Sequence, residues 1–340
     1  MSAYLQHIGA IVDGRDIGRE ASSALMSDML EGAIEQTQLA ALLTAWAAKG
    51  ETASELAGLA AIMRQHMITI DAPQDTVDTC GTGGSGFDTI NTSTLCAFVL
   101  AAAGVPVAKH GNRASSGRCG SMDVLEAMGV AIEILPKQAQ RLLAEQGVVF
   151  MYARRHHPSL GHVTPVRRIL GFRTTFNFLG PICNPAMVRR QMLGVSDPDR
   201  APLLLQSLAE LGSERAMVVW GEDGLDELSL ASHSRVWMLE DGEIDELRVC
   251  PEDVGLTRVS TDKIKGGDVH ENLKIAETVL RGTATRPYRD HVAYNAGAGL
   301  LVAGVAESLS DGVEQAVAIL DDGEAWDVFE RYRDATLRLS

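Results

Sequence analysis

Four glycines in six residues, Gly81-Thr82-Gly83-Gly84-Ser85-Gly86, precede the polar run Asn91-Thr92-Ser93-Thr94. One helix length later comes Lys109-His110-Gly111-Asn112-Arg113. Glycine lets backbone N–H groups approach an anion closely, because no Cβ stands in the way. The polar run sits where the next helix begins, so its hydroxyls and the free N–H groups of that helix face the same anion. A strand then delivers Lys109 beside the loop as an electrostatic anchor at the strand tip. The chemistry of this constellation is phosphate binding.

The string Gly81-x-Gly83-x-x-Gly86 also matches the dinucleotide fingerprint. That fingerprint wants an acid at the end of the second strand for the ribose hydroxyls. Lys109-His110 stands there instead, which favours a phosphorylated ligand over NAD. No Gly-Lys-Ser/Thr follows, so a nucleotide P-loop is absent. His110 alone reads more readily as a packing histidine than as a catalyst. Asn112 and Arg113 form a turn or, with Gly111, offer donors to a second ligand. Asp226-Glu227 follows a strand signal and suits Mg²⁺, which takes carboxylates together with substrate oxygens. One arginine of Arg167, Arg168 and Arg173 is suited to a carboxylate, and composition does not choose among them. His156 and His157 lack metal-helix spacing and read as surface or interface histidines.

The elements that must carry these residues follow from periodicity. In 1–70 the signals are helical. Leu39, Leu42, Leu43 and Trp46 share one helix face, Gly50 stops that helix, and Thr52-Ala53-Ser54-Glu55 is a capping box opening the next. From Val77 the pattern alternates: strands at 75–80, 105–109, 130–135 and 148–153, with helices at 92–103, from a Ser121 cap to Gly129, and from Pro136. Arg215–Gly221 reads as a buried strand, and Asp241-Gly242 as a hairpin turn. The segment 154–190 carries four prolines and reads as loops and short helices crossing between domains. Helices return from about His270. The expected fold is α/β: a small all-helical domain, 1–70 joined by part of 154–190, and a larger domain, 75–340, whose mostly parallel central sheet is flanked by helices.

Composition bounds the function. The 340 residues carry a net charge of -15, which counts against general nucleic-acid binding. The charge is uneven. Residues 109–190 hold twelve Lys and Arg against four acids, a net +8, and the remainder carries -23. A local basic zone in an acidic chain points to small anionic substrates gathered in one cleft. No apolar run reaches membrane-spanning length, and Met1-Ser2-Ala3-Tyr4-Leu5 lacks the pattern of a secretory signal. Five widely spaced cysteines without a Cys-x-x-Cys pair support neither a disulfide framework nor a thiolate zinc site, so a reducing cytoplasmic setting is expected.

In order and in combination, Gly81-Thr82-Gly83-Gly84, Asn91-Thr92-Ser93-Thr94, Lys109 to Arg113, Arg173 to Pro181, Asn184-Pro185 and Gly224 to Glu227 resemble anthranilate phosphoribosyltransferase. The resemblance is strong over about 75–230. It implies the nucleoside phosphorylase/phosphoribosyltransferase type of fold and a homodimer paired through the helical domains. It implies transfer of phosphoribosyl from 5-phosphoribosyl 1-diphosphate (PRPP) to the amine of anthranilate, in tryptophan biosynthesis. Carried onto this chain, Gly81, Thr82, Gly84, Asn91, Ser93, Thr94, Lys109 and Cys119 would hold PRPP. Ser93, Asp226 and Glu227 would bind Mg²⁺. His110, Asn112, Arg167 and Pro181 would line the acceptor path, with Arg167 meeting the carboxylate. The chain departs from the family at Ser85, where Asp is usual, and at Arg118-Cys119, where Lys-Ser is expected. Alternatives are a paralogue using another aromatic or heterocyclic amine, a pyrimidine nucleoside phosphorylase, and a non-catalytic relative that binds nucleic acid or another partner. The nucleoside phosphorylase carries a different lysine segment, and the intact Asp226-Glu227 counts against the non-catalytic relative.

Overall fold

The computed structural model describes residues 3–114 and 118–339; the first two residues of the N-terminal reading lie outside it. Four helices come first: α1 (Ala3–Val12), α2 (Gly18–Leu30), α3 (Gln36–Lys49) and α4 (Ala53–His66). The apolar stripe of α3 buries Leu39, Leu42, Leu43 and Trp46 as its spacing requires. Thr52 and Glu55 form the reciprocal capping box that starts α4.

The alternating region follows as β1 (Val77–Gly81), α5 (Thr92–Ala102), β2 (Val107–Gly111), α6 (Ser121–Ala127), α7 (Pro136–Gln146) and β3 (Val148–Tyr152). Short helices α8 (Ala153–His156), α9 (Thr164–Leu170) and α10 (Phe176–Ile182) occupy the proline-bearing segment. Then come β4 (Arg190–Gly194), α11 (Ala201–Glu210), β5 (Arg215–Gly221), β6 (Ser234–Glu240) and β7 (Glu243–Val249). The chain closes with α12 (Val269–Leu280), α13 (Arg286–Ala303), α14 (Leu309–Asp321) and α15 (Glu324–Leu337). No helix among the described residues is long and apolar enough to cross a membrane.

The seven strands lie in the order β3-β2-β1-β4-β5-β6-β7. The first five run parallel, and β6 and β7 pair antiparallel through Asp241-Gly242, both in the left-handed region as a tight hairpin requires. Chain order reverses between β1 and β4, so the crevice beyond their carboxyl ends is where an open parallel sheet binds ligands. Successive side chains serve opposite faces. Met192, Met217 and Val219 pack toward Tyr294 of α13, while Leu193 and Val218 join a core shared with α1–α4, α10 and α11. The helical bundle and one face of the sheet are thus a single apolar cluster. Arg64 of α4 reinforces it, donating to Ile182 O from Nε and Nη2 (3.0 and 2.8 Å) and to Leu211 O (3.3 Å).

Three expectations need correction. Residues 130–135 are not a strand. Val130, Ile132 and Ile134 do alternate inward, but Ala131 N donates to Thr336 Oγ1 and Leu135 N to Gln138 Oε1, so the backbone bonds side chains rather than a neighbouring strand. Ser121 is the first helical residue of α6 and not its cap; Gly120 takes that place, with Gly120 N donating to Asp123. Finally, β2 lies two residues later than 105–109. Lys109 therefore sits inside the strand, 2% exposed, and not at its tip.

Candidate active site

At the carboxyl edge of the sheet, Gly81 of β1 pairs with Gly194 of β4. The Gly194 position needs the missing Cβ. A Cβ on Gly194 would lie 1.7 Å from the carbonyl oxygen of Asp226, so the loop after β5 lies directly against the end of β4 only because glycine is there. The glycine loop leaves β1 with Thr82 N donating to Gly194 O at 2.8 Å. Arg173 then holds it: the guanidinium donates to the carbonyls of Thr82 and Gly83 and, at 3.0 Å, to Ser196 Oγ. Gly84 has φ +84, and a Cβ there would strike Arg173 Nη1. With those carbonyls engaged, the N–H groups of Gly83, Gly84, Ser85 and Gly86 donate to no acceptor among the described residues. They are the donors that an anion at this loop would use.

Below the loop, Lys109 Nζ donates to Thr79 O and, at 3.1 Å, to Ser93 Oγ at the start of α5. A buried ammonium needs such partners. Asp78 supports the same floor. Its Oδ1 accepts from His110 N at 3.3 Å, and its Oδ2 from Asn184 Nδ2 at 2.7 Å. Burial raises the Asp78 pKa, and the Lys109 charge and these bonds oppose that rise. Thr94 is buried behind Ser93 with its hydroxyl unpartnered. Asn91 turns its amide toward Cys119 O (3.1 Å), and its Oδ1 accepts from Asn272 Nδ2 of α12 (3.0 Å). That places Cys119 beside the helix start.

Thr79, Gly81, Ser93, Gly194, Asp226 and Glu227 line one cavity. Two carboxylates and a hydroxyl are hard oxygen donors, which fit a divalent cation of the Mg²⁺ type. Among the described residues no cluster of three or more His, Cys, Asp or Glu could hold a metal alone, so the remaining ligands would come from substrate phosphates. Glu227 Oε2 accepts from His291 Nε2 at 2.7 Å and Thr92 Oγ1 at 3.0 Å. Burial raises the Glu227 pKa, and the bond to His291 counters it.

A second cavity shares Cys80 and Gly81 with the first and is lined by His110, Asn112, His157, Arg167, Phe176 and Pro181. All four residues expected along the acceptor path meet here. Of the three arginines left open by the sequence, Arg168 is exposed, Arg173 holds the glycine loop, and Arg167 faces this cavity. The Arg167 guanidinium stacks over Phe176 at 5.3 Å and has no carboxylate partner among the described residues. His156 and His157 are buried, 0% and 7% exposed, contrary to the surface reading. The turn after β3 tucks them in, where His156 Nδ1 bonds Ile68 O at 2.8 Å. His110 Nδ1 bonds Gly180 O at 3.2 Å, and the Nε2 atoms of His110 and His157 are buried without partners. Burial lowers the pKa of both, His157 to about 4 with His156 adding to the shift. Both rings are neutral at pH 7. With Nδ1–H donating to the carbonyl, His110 Nε2 is a free acceptor.

Sequence reasoning missed Arg173 as the loop's clasp, Gly194, His157 as a cavity wall and His291. The Gly-Phe-Arg-Thr string marked Arg173 as notable but not its target, 90 positions away.

The family profile described as the glycosyl transferase family, a/b domain, matches residues 73–326, and that described as its helical bundle domain matches 5–67. The anthranilate phosphoribosyltransferase of Symbiobacterium thermophilum is 46% identical over 340 residues, covering 100% of this chain and 98% of that protein. The crystal structure of anthranilate phosphoribosyltransferase from Thermus thermophilus superposes with a TM-score of 0.92 at 40% identity, covering 97% of this chain and 99% of that one. The Saccharomyces cerevisiae enzyme in complex with PRPP and Mg gives a TM-score of 0.85 at 26% identity, over 94% and 92% of the two chains.

Proposed function

The chain belongs to the anthranilate phosphoribosyltransferase family, and we propose that its two adjoining cavities divide that family's reaction between them. The enzyme transfers phosphoribosyl from PRPP to the amine of anthranilate and releases diphosphate. On this reading Gly81, Thr82, Gly84, Asn91, Ser93, Thr94, Lys109 and Cys119 hold PRPP. Ser93, Asp226 and Glu227 hold Mg²⁺ with the diphosphate, and His110, Asn112, Arg167 and Pro181 receive anthranilate. The observation that carries it is the meeting of the cavities at Cys80-Gly81. One is lined by Ser93, Asp226 and Glu227, with the glycine loop leaving from Gly81 at its edge and the Lys109 ammonium bonded to its lining residues Thr79 and Ser93; the other offers an unpaired guanidinium.

Departure of diphosphate builds negative charge on oxygen and positive character at the ribose C1. The glycine-loop N–H groups face the first, preorganised by the Arg173 clasp on the loop carbonyls. Mg²⁺, when bound, supplies charge neutralisation at the diphosphate oxygens. An aryl amine is neutral at pH 7, so its attack needs little help from a base. Arg167 pairs with the anthranilate carboxylate bidentately, and the neutral His110 Nε2 accepts an amine N–H, which orients the nitrogen lone pair toward C1. Positioning and charge stabilisation carry the rate. The domain division given by the sequence, a cytoplasmic setting and a homodimer belong to the same proposal.

The test is loss of anthranilate fluorescence. Loss that requires both PRPP and Mg²⁺, and that other aromatic amines do not reproduce, is the expected result. Consumption of a different amine in preference would assign the second cavity to that amine.

A further inference from the structure

His291 has no place in the division of labour above. It is fully buried on α13, its Nδ1 has no partner, and its Nε2 lies 2.7 Å from Glu227 Oε2. A carboxylate oxygen only accepts, so the imidazole donates from Nε2. The other donor to that oxygen is weaker. Thr92 has a single hydroxyl proton, and Ile90 O lies 3.3 Å from the same Oγ1. One turn along the same helix, Asn295 brackets the next residue: Leu228 N donates to its Oδ1 at 2.9 Å, and its Nδ2 donates to Leu228 O at 3.1 Å. Helix α13 therefore grips residues 227–228 at one side chain and two backbone groups.

We infer that His291 is a positioning residue that turns Glu227 toward the cation: by occupying Oε2 it leaves Oε1 as the oxygen presented to the metal. The inference rests on the proposed metal role of Glu227. A ligating carboxylate held by an outer hydrogen bond keeps one rotamer, and loss of such a partner releases it. The imidazole is not among the residues lining the cavity.

Mn²⁺ serves as the probe in place of Mg²⁺, its free concentration read by electron paramagnetic resonance during titration of the protein with PRPP present. His291→Leu should weaken Mn²⁺ binding by about tenfold or more, and His291→Gln, whose amide donor overlies Nε2, should restore it to within about threefold of wild type. His291→Asn places its donor near Nδ1, short of Glu227, and should behave like the leucine variant. Anthranilate affinity, from its own fluorescence, should be unchanged in all three. Mn²⁺ binding by the leucine or asparagine variant equal to wild type, or a parallel loss of anthranilate affinity, would overturn the inference. If wild-type protein binds no Mn²⁺ with PRPP, the metal role of Glu227 itself falls, and the inference with it.

Discussion

Burial decides how the acceptor histidines behave. His110, His156 and His157 all have pKa values below the ordinary 6.5, chiefly because desolvation disfavours the charged ring. Below pH 6.5 the unfolded chain therefore binds more protons at these rings than the native protein does, for His157 down to about pH 4. Stability is full above the unfolded value and falls as pH drops through it. The midpoint of urea unfolding should decrease from pH 7 to pH 4.5, and His157→Asn, which removes one such ring, should flatten that decline. Equal slopes for the variant and the wild type would show that His157 is solvated in the native state. Above pH 6.5 these three rings stay neutral, so the rate should show no titration of the acceptor-side histidines between pH 6.5 and 8.

Much at the level of elements was readable from local patterns. The capping box at Thr52 and the Asp241-Gly242 hairpin are each fixed by a few neighbouring residues. The strand expected at 130–135 failed because inward alternation also arises in an extended loop lying on helices, as Val130, Ile132 and Ile134 do. The two-residue offset of β2 mattered more, since it moves Lys109 from an anchor at the strand tip into the buried floor of the site. Partners remote in sequence left no signal: Arg173 with Gly83 across 90 positions, and His291 with Glu227 across 64. Gly194 belongs to that group, because its need for a missing Cβ comes from the Asp226 loop. Gly194→Ala should displace that loop by about an ångström or more and reduce kcat/KM for PRPP by about 10²-fold with an unchanged circular dichroism spectrum. Wild-type kinetics in this variant would mean that the loop yields freely and that its contact with β4 has no part in positioning.

For the molecule as a whole, the sheet's reversal between β1 and β4 puts the site where bundle and sheet meet. Part of the basic zone detected in the sequence lies along that seam, while Lys137 and Arg141 sit on α7 and Arg190 starts β4 at the end away from the site. Arg154, Arg167 and Arg168 border a groove that opens from the acceptor cavity, where they attract an anionic substrate in an otherwise acidic chain. The seam is held by apolar packing and by Arg64. Arg64→Met leaves the Ile182 and Leu211 carbonyls without their charged donor and should cost about 1–3 kcal/mol, read from urea unfolding. No change would mean that water replaces the guanidinium at no cost. The most direct test of the two-cavity arrangement is calorimetry of each substrate, with Mg²⁺ present, on two variants. Lys109→Met should abolish the heat of PRPP binding and leave anthranilate binding intact, whereas Arg167→Ala should weaken anthranilate binding and spare PRPP. Loss of both ligands in both variants, or the reverse assignment, would contradict the account.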